Sequence, residues 1–219
     1  MSDDTIPRVI VRQAELWVFH KPAGFAVHPT GNPRIPDLLS WAQSEIDAPA
    51  SLAPVHRLDR ATSGVVICSA DEKTRGNWGR KFAEGAVEKE YRALVYGHCH
   101  KKGVIKRPLE DVRRKQDLEA ETRYWRLESF GAASYLKVRP ITGRRHQIRR
   151  HLQGIGHGIL GDKRYHNKRR LRVAGFVPRL WLHCLSLRFD TGEFFEAPLC
   201  PRLEAQLEIL REVRASKQG

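Results

Sequence analysis

Residues 144–150 read RRHQIRR and place four arginines within seven positions. Thr142 is expected to cap a helix that begins near Arg144 and ends near Gly154. On such a helix Arg145, Arg149 and Leu152 share one face, while His146 and Arg150 fall on another. Arginines then surround the helix, so any flank that packs must take one of them inward. An inward guanidinium is costly unless it meets a carboxylate. The chain must therefore fold so that an acid reaches this helix from elsewhere in the sequence.

Asp59 is the best-placed acid. It lies in PVHRLDRATSG, residues 54–64, between Arg57 and Arg60 and beside small residues that let a ligand approach. Nearby cations hold a carboxylate ionised, as a nucleophile requires. An Asx-turn or a capping role is the competing reading of an Asp at the end of a loop.

The charge points to a polyanionic partner. Of 219 residues, 39 are Lys or Arg and 25 are Asp or Glu, a net charge of +14. A second basic cluster, residues 163–172, holds six Lys or Arg in ten positions. Arg144, Arg145 and His146 of the first cluster and Lys168, Arg169 and Arg170 of the second are candidate phosphate contacts. Tyr165 and His166 between them, and Trp181 nearby, offer ring faces on which unpaired bases can stack.

A hydrophobic fraction of 41% supports a packed core without disulfides and excludes a disordered tail or a fibre. No apolar run approaches the roughly 18 residues of a membrane span. The N-terminus lacks the pattern of a secretory signal, so a cytoplasmic location is expected. Cys68, Cys99, Cys184 and Cys200 form no CxxC pair and read as reduced thiols.

Strands are expected over residues 17–21, 25–28, 64–69, 87–96, 121–128, 134–139 and 182–189. Helices are expected over residues 37–45, from a capping box at 69–72 to about Gly85, and from Pro201 to about Val213. Leu203, Leu207 and Leu210 should line the buried face of the last one. Residues 50–61 have no period and read as loop. This is an α+β pattern with a mixed, largely antiparallel central sheet and flanking helices, in a single domain over residues 1–219 and with a monomer as the default.

Several chemistries fit poorly. His146 and His151 are five apart, which is not HExxH spacing, and His98-Cys99-His100 lacks partner ligands. A Walker A loop, GxGxxG and GxSxG are all missing, so nothing indicates a nucleotide cofactor, hydride transfer or a serine hydrolase. A glycosidase-like hydrolase would need a second acid, and in the basic blocks only Asp162 is available.

Six blocks in fixed order carry a resemblance. They are HKPAG at 20–24 followed by VHP at 27–29, HRLDRATSG at 56–64, KEYRA at 89–93, TGRRHQIRRHL at 142–152, GILGD at 158–162 and RLWLHC at 179–184. With these the chain resembles the pseudouridine synthases of the RluA type. The RRHL ending and the basic insert before RLWLHC resemble the tRNA-modifying branch, tRNA pseudouridine synthase C.

The resemblance implies the pseudouridine synthase catalytic fold and an isomerase that rearranges specific uridines in RNA, tRNA ahead of rRNA. It implies that Asp59 is the catalytic carboxylate and that Arg149 pairs with it. Tyr91 would pack on the flipped uracil and transfer a proton, and Leu182 would wall the uracil pocket. Arg57 would enter the stack where the flipped nucleotide had been. An isomerisation implies no metal and no organic cofactor. Only twenty residues precede Lys21, so no S4-like RNA-binding domain is expected. The alternative reading is a non-catalytic RNA-binding or RNA-chaperone module on the same scaffold.

Overall fold

The computed structural model describes residues 5–111, 114–166 and 172–217. In chain order the elements begin with β1 (Arg8–Arg12), β2 (Leu16–Lys21), α1 (Leu38–Ile46), β3 (Ala53–Pro54), β4 (Ser63–Ser69) and α2 (Glu72–Glu84). They continue with β5 (Val87–Tyr96), β6 (Lys102–Lys106), β7 (Leu109–Asp111), β8 (Gln116–Leu118), β9 (Glu121–Ser129) and β10 (Ala133–Pro140). The last are α3 (Gln147–Gly154), β11 (Leu182–Phe189), β12 (Phe194–Glu196) and α4 (Pro201–Ala215). They fall into two compact units, Met1–Glu88 with Cys184–Pro198, and Lys89–His183 with Leu199–Gly219.

In the first unit the strand order is β1-β2-β4-β11, with β3 beside β4 and β12 beside β11. Every residue of β2 and of β4 is buried. Both strands are covered on both faces, which is why GVVICS reads as one apolar run rather than an alternation. The antiparallel register sets Val18 opposite Ile67 and Phe19 opposite Val66, all fully buried. Gly64 has φ +124, and a Cβ there would stand 2.1 Å from the Cys184 carbonyl oxygen. Only glycine fits where β4 passes so close to another backbone. An aromatic cluster closes the unit: Trp78 meets Phe189 edge-on at 4.5 Å, and Phe82 meets Phe189 at 5.7 Å.

The second unit carries the order β5-β10-β9-β6 and a separate β7-β8 ribbon. Leu94, Val95, Leu136 and Val138 are fully buried at its centre. The α4 helix buries Leu203, Leu207 and Leu210, as its spacing requires. Strand pairs with a defined register are antiparallel in both units, and Ala26 with Asp37 adds a parallel bridge. Both units thus have the α+β, mainly antiparallel character that the sequence suggests.

Four local expectations are corrected. Residues 25–28 do not form a strand; Ala26 makes a single bridge. The α2 helix is capped by Asp71, whose side chain accepts from Thr74 N at 2.6 Å, and Ser69 instead accepts from Asp71 N. Ser69 and Asp71 lie two apart at the helix start, and Asp is as good a cap as Ser. The α3 helix starts at Gln147, not near Arg144, and Thr142 does not cap it. Residues 50–61 are not all loop, since they hold β3, and strands β1, β6, β7, β8 and β12 were likewise not anticipated. They are short or mostly exposed, so no apolar alternation marks them.

Candidate functional site

In the first unit, Asp59 sits half-buried in the loop between β3 and β4, with Arg57 exposed two residues earlier. The loop is gripped at several points. Thr62 N donates to the Asp59 carbonyl at 3.0 Å. One residue on, the Arg60 carbonyl accepts from Gly24 N at 2.8 Å and from Lys21 Nζ at 3.3 Å. Lys21 is fully buried, and its ammonium also donates to the Pro22 and Phe25 carbonyls at 3.0 and 2.8 Å. The Lys-Pro-Ala-Gly block therefore acts as a strut under the Asp59 loop. The other end is fixed by His56, which stacks on Phe82 at 4.5 Å and whose Nε2 accepts from Ile67 N at 3.1 Å. An accepting Nε2 places the proton of a neutral His56 on Nδ1.

In the second unit, the inward arginine of α3 is Arg149, buried with 8% of its surface exposed. Within this unit it meets the carboxylate of Asp162, from the Gly158-to-Asp162 block. Nε and Nη2 donate to the two carboxylate oxygens at 2.8 Å each, a bidentate fork. Asp162 also accepts from Arg164 N and Tyr165 N at 2.9 Å each. Burial pushes this carboxyl upward in pKa, but these donors outweigh it and hold it below the usual carboxylate range. Tyr165 covers the guanidinium, its ring centroid 5.1 Å from Arg149 Cζ, and its hydroxyl meets His146 Nδ1 at 3.0 Å. His146 adopts left-handed backbone, φ 54, at the start of α3.

Around α3 the polar side chains form a closed network. Gln147 Oε1 accepts from Thr142 Oγ1 at 2.6 Å and from Arg144 N at 2.9 Å. Gln147 Nε2 donates to the Glu121 carbonyl at 2.9 Å and to Thr122 Oγ1 at 3.0 Å. His151 Nε2 donates to the Arg107 carbonyl at 2.9 Å, which leaves Nδ1 to accept from the Thr122 hydroxyl at 2.9 Å. Burial keeps the His151 pKa below its ordinary value. Gln147, Arg149, His151 and Leu152 all face inward, so α3 hides polar groups only where partners wait for them.

Tyr91 stands half-buried on β5, opposite Val138, and Leu182 is buried at the start of β11. Arg144 and Arg145 are exposed, and Arg144 Nε donates to the Glu119 carbonyl at 2.9 Å. Lys168, Arg169 and Arg170 lie outside the described residues. Four positions carry structural roles that the sequence did not assign to them: Lys21, Gln147, His151 and Asp162. The need for an acid at Arg149 was the available signal for Asp162, which lies thirteen residues further along. Among the described residues no three His, Cys, Asp or Glu side chains gather as a metal site. Nor is any helix long and apolar enough to cross a membrane. The four cysteines are buried and unbridged, and burial pushes the Cys68 thiol up to about 12.

Comparison with known proteins places these blocks in context. The family described as RNA pseudouridylate synthase matches residues 15–154. Ribosomal large subunit pseudouridine synthase C of Pasteurella multocida is 36% identical over 92% of this chain and 67% of its own length. tRNA pseudouridine synthase C of Haemophilus ducreyi is 32% identical over 83% of this chain and 84% of its own length. Among solved structures, human RNA pseudouridylate synthase domain containing 4 superposes with a TM-score of 0.77 at 24% identity, covering 93% of this chain and 92% of that one. That likeness speaks to the fold, while the match over residues 15–154 and the curated relatives speak to kinship. The chain belongs to the RNA pseudouridylate synthase family, whose members are RNA isomerases.

Proposed function

We propose that this protein isomerises specific uridines in structured RNA, tRNA ahead of rRNA, with Asp59 as nucleophile and the target base flipped out of its stack. The observation that carries the reading is the Asp59 loop. A half-buried acid is held by backbone bonds at its own carbonyl and at that of Arg60, so its position does not depend on substrate. The Asp59 carboxylate attacks the uridine, the N1–C1′ bond breaks, and the uracil rotates. A C5–C1′ bond then forms as the bond to Asp59 breaks, C5 gives up its proton and N1 takes one up, so substrate and product have the same composition. Tyr91 serves in proton transfer, Arg149 is the cation of the catalytic set, and Leu182 is an apolar contact for the uracil. Arg57, exposed on the same loop as Asp59, takes the place of the flipped nucleotide. Arg144, Arg145 and His146, with Lys168, Arg169 and Arg170, contact phosphates.

The tRNA preference rests on coverage. The relative named for tRNA aligns over 84% of its own length, whereas the ribosomal relative of higher identity aligns over 67%. Pseudouridine mapping across total RNA, from cells with and without this protein, tests the reading. Sites that vanish from tRNA are expected. Loss confined to 23S rRNA would overturn the tRNA preference, and no lost site in any RNA would overturn the function.

A further inference from the structure

The second unit's sheet has two faces of different character. One face carries Tyr91, Tyr124 and Val138, and α3 is tied to it through Thr122. The opposite face is cationic. Glu90 binds Arg92 at 2.5 Å, Lys137 at 2.7 Å and Arg139 at 3.3 Å, which puts all four on that side. Trp125 shares it, with Lys137 Nζ 5.9 Å and Arg139 Cζ 5.7 Å from its ring centroid. Strand alternation adds Arg123, two residues from Trp125, and the register adds Lys102 opposite Trp125 and Lys106 opposite Glu121.

Apart from Arg92, whose side chain is 17% exposed, the cations lie shallower than the carboxylates that hold them. The side chains of Glu90 and Glu121 are only 13% and 19% exposed, while those of Lys137, Arg139, Arg123 and Lys106 are 27%, 29%, 49% and 72% exposed. Each recessed carboxylate holds cations in place without cancelling them toward solvent. These six cations outnumber the acids that alternation and register place on the same side, Glu88, Glu90, Glu121 and Glu128, so the face is net positive, with an indole among them.

We infer that this face is a second RNA-contacting surface, which takes phosphates of the substrate RNA outside the stretch that holds the target uridine. Cations spaced along neighbouring strands suit a polyphosphate backbone, and Trp125 suits a stacked base. The inference rests on the proposed RNA substrate and extends it to a side of the sheet that the catalytic assignments leave unused.

The test is the salt dependence of binding to fluorescein-labelled, unfractionated tRNA by the full-length protein. Two double variants are compared with wild type. Lys137→Gln with Arg139→Gln removes the pair beside Trp125. Lys102→Gln with Lys106→Gln removes two exposed charges that leave Glu90 untouched, so a folding defect in the first variant does not decide the outcome. Each lost phosphate contact lowers the log–log salt slope by about 0.9, so each double variant is expected to lower it by about 1.8. Lys73→Gln with Arg80→Gln, on exposed positions of α2, is expected to leave the slope at the wild-type value.

Wild-type slopes in both sheet variants would overturn the proposal. Displacement of the tRNA by polyglutamate at equal charge concentration would overturn it too, in favour of an acidic protein partner. Tritium release from 5-tritiated uridine in unmodified tRNA reads the reaction separately. Release with unchanged slopes sinks the surface alone, whereas altered slopes without release support the surface and sink the proposed reaction.

Discussion

At the scale of single residues, the arrangement turns on charges that are buried only where partners are fixed. Asp162 and Arg149 form a bidentate pair, and removing the Asp162 charge takes a buried counter-ion from the guanidinium. Asp162→Asn is expected to cost about 3–5 kcal/mol in urea unfolding, whereas replacing both by apolar residues of similar volume should cost much less. Its carboxyl lies below the usual range in the folded state, so its contribution is present above the unfolded-state value of about 3.9 and is lost as pH falls further. Acid unfolding of wild type and of the double apolar variant, side by side, checks the sign. The requirement for an acid at Arg149 was legible in the sequence. The acid's identity within that unit was not, because spacing says which side chains share a helix face and nothing about which loop returns to it. Gly64 shows the same limit. Small residues beside Asp59 suggest room for a ligand, but a Cβ at Gly64 would collide with the Cys184 backbone at 2.1 Å. Gly64→Ala is expected to destabilise by about 3 kcal/mol or more in the same assay, a clash that only a shift of β4 relieves.

At the scale of elements, those with a strong period were legible, and those defined by polar networks were not. The apolar runs of β2 and β4 and the leucine stripe of α4 announce themselves because burial selects them. The start of α3 does not. Arg144 and Thr142 are good candidates for its first turn, yet Gln147 takes up both Thr142 Oγ1 and Arg144 N, so the helix begins only after that turn. Within α3, His151 is neutral and held between Thr122 and the Arg107 carbonyl. Its folded pKa is depressed, so stability is full above the unfolded histidine value of about 6.5 and declines as pH drops below it. Guanidinium unfolding at several pH values between about 7 and 5 is expected to show this decline, and His151→Asn is expected to flatten it. At α2, Asp71→Ala removes the side-chain acceptor of Thr74 N and is expected to lower stability by about 1 kcal/mol. Ser69→Ala should cost less, which distinguishes the observed cap from the one the sequence suggests.

At the scale of the whole chain, a net charge of +14 and kinship with RNA isomerases describe one task, which is holding a polyanion while one nucleoside is rearranged. Affinity for RNA is expected to be electrostatic and to fall steeply between about 50 and 200 mM salt, while the proposed chemistry depends on Asp59. These roles separate because phosphate contacts position the RNA and do not react with it. Each proposed catalytic residue falls on one of the ordered blocks, and the charge is visible in the composition. The cationic face of the second unit was hidden, because its residues come from four strands and only the sheet register brings them together. The most direct measurement is tritium release from 5-tritiated uridine in unmodified tRNA and rRNA, by wild type and by Asp59→Asn, with RNA affinity measured on both. Release by wild type, none by the variant, and affinities within about twofold of each other are expected. Release that survives in Asp59→Asn would contradict the account at its centre.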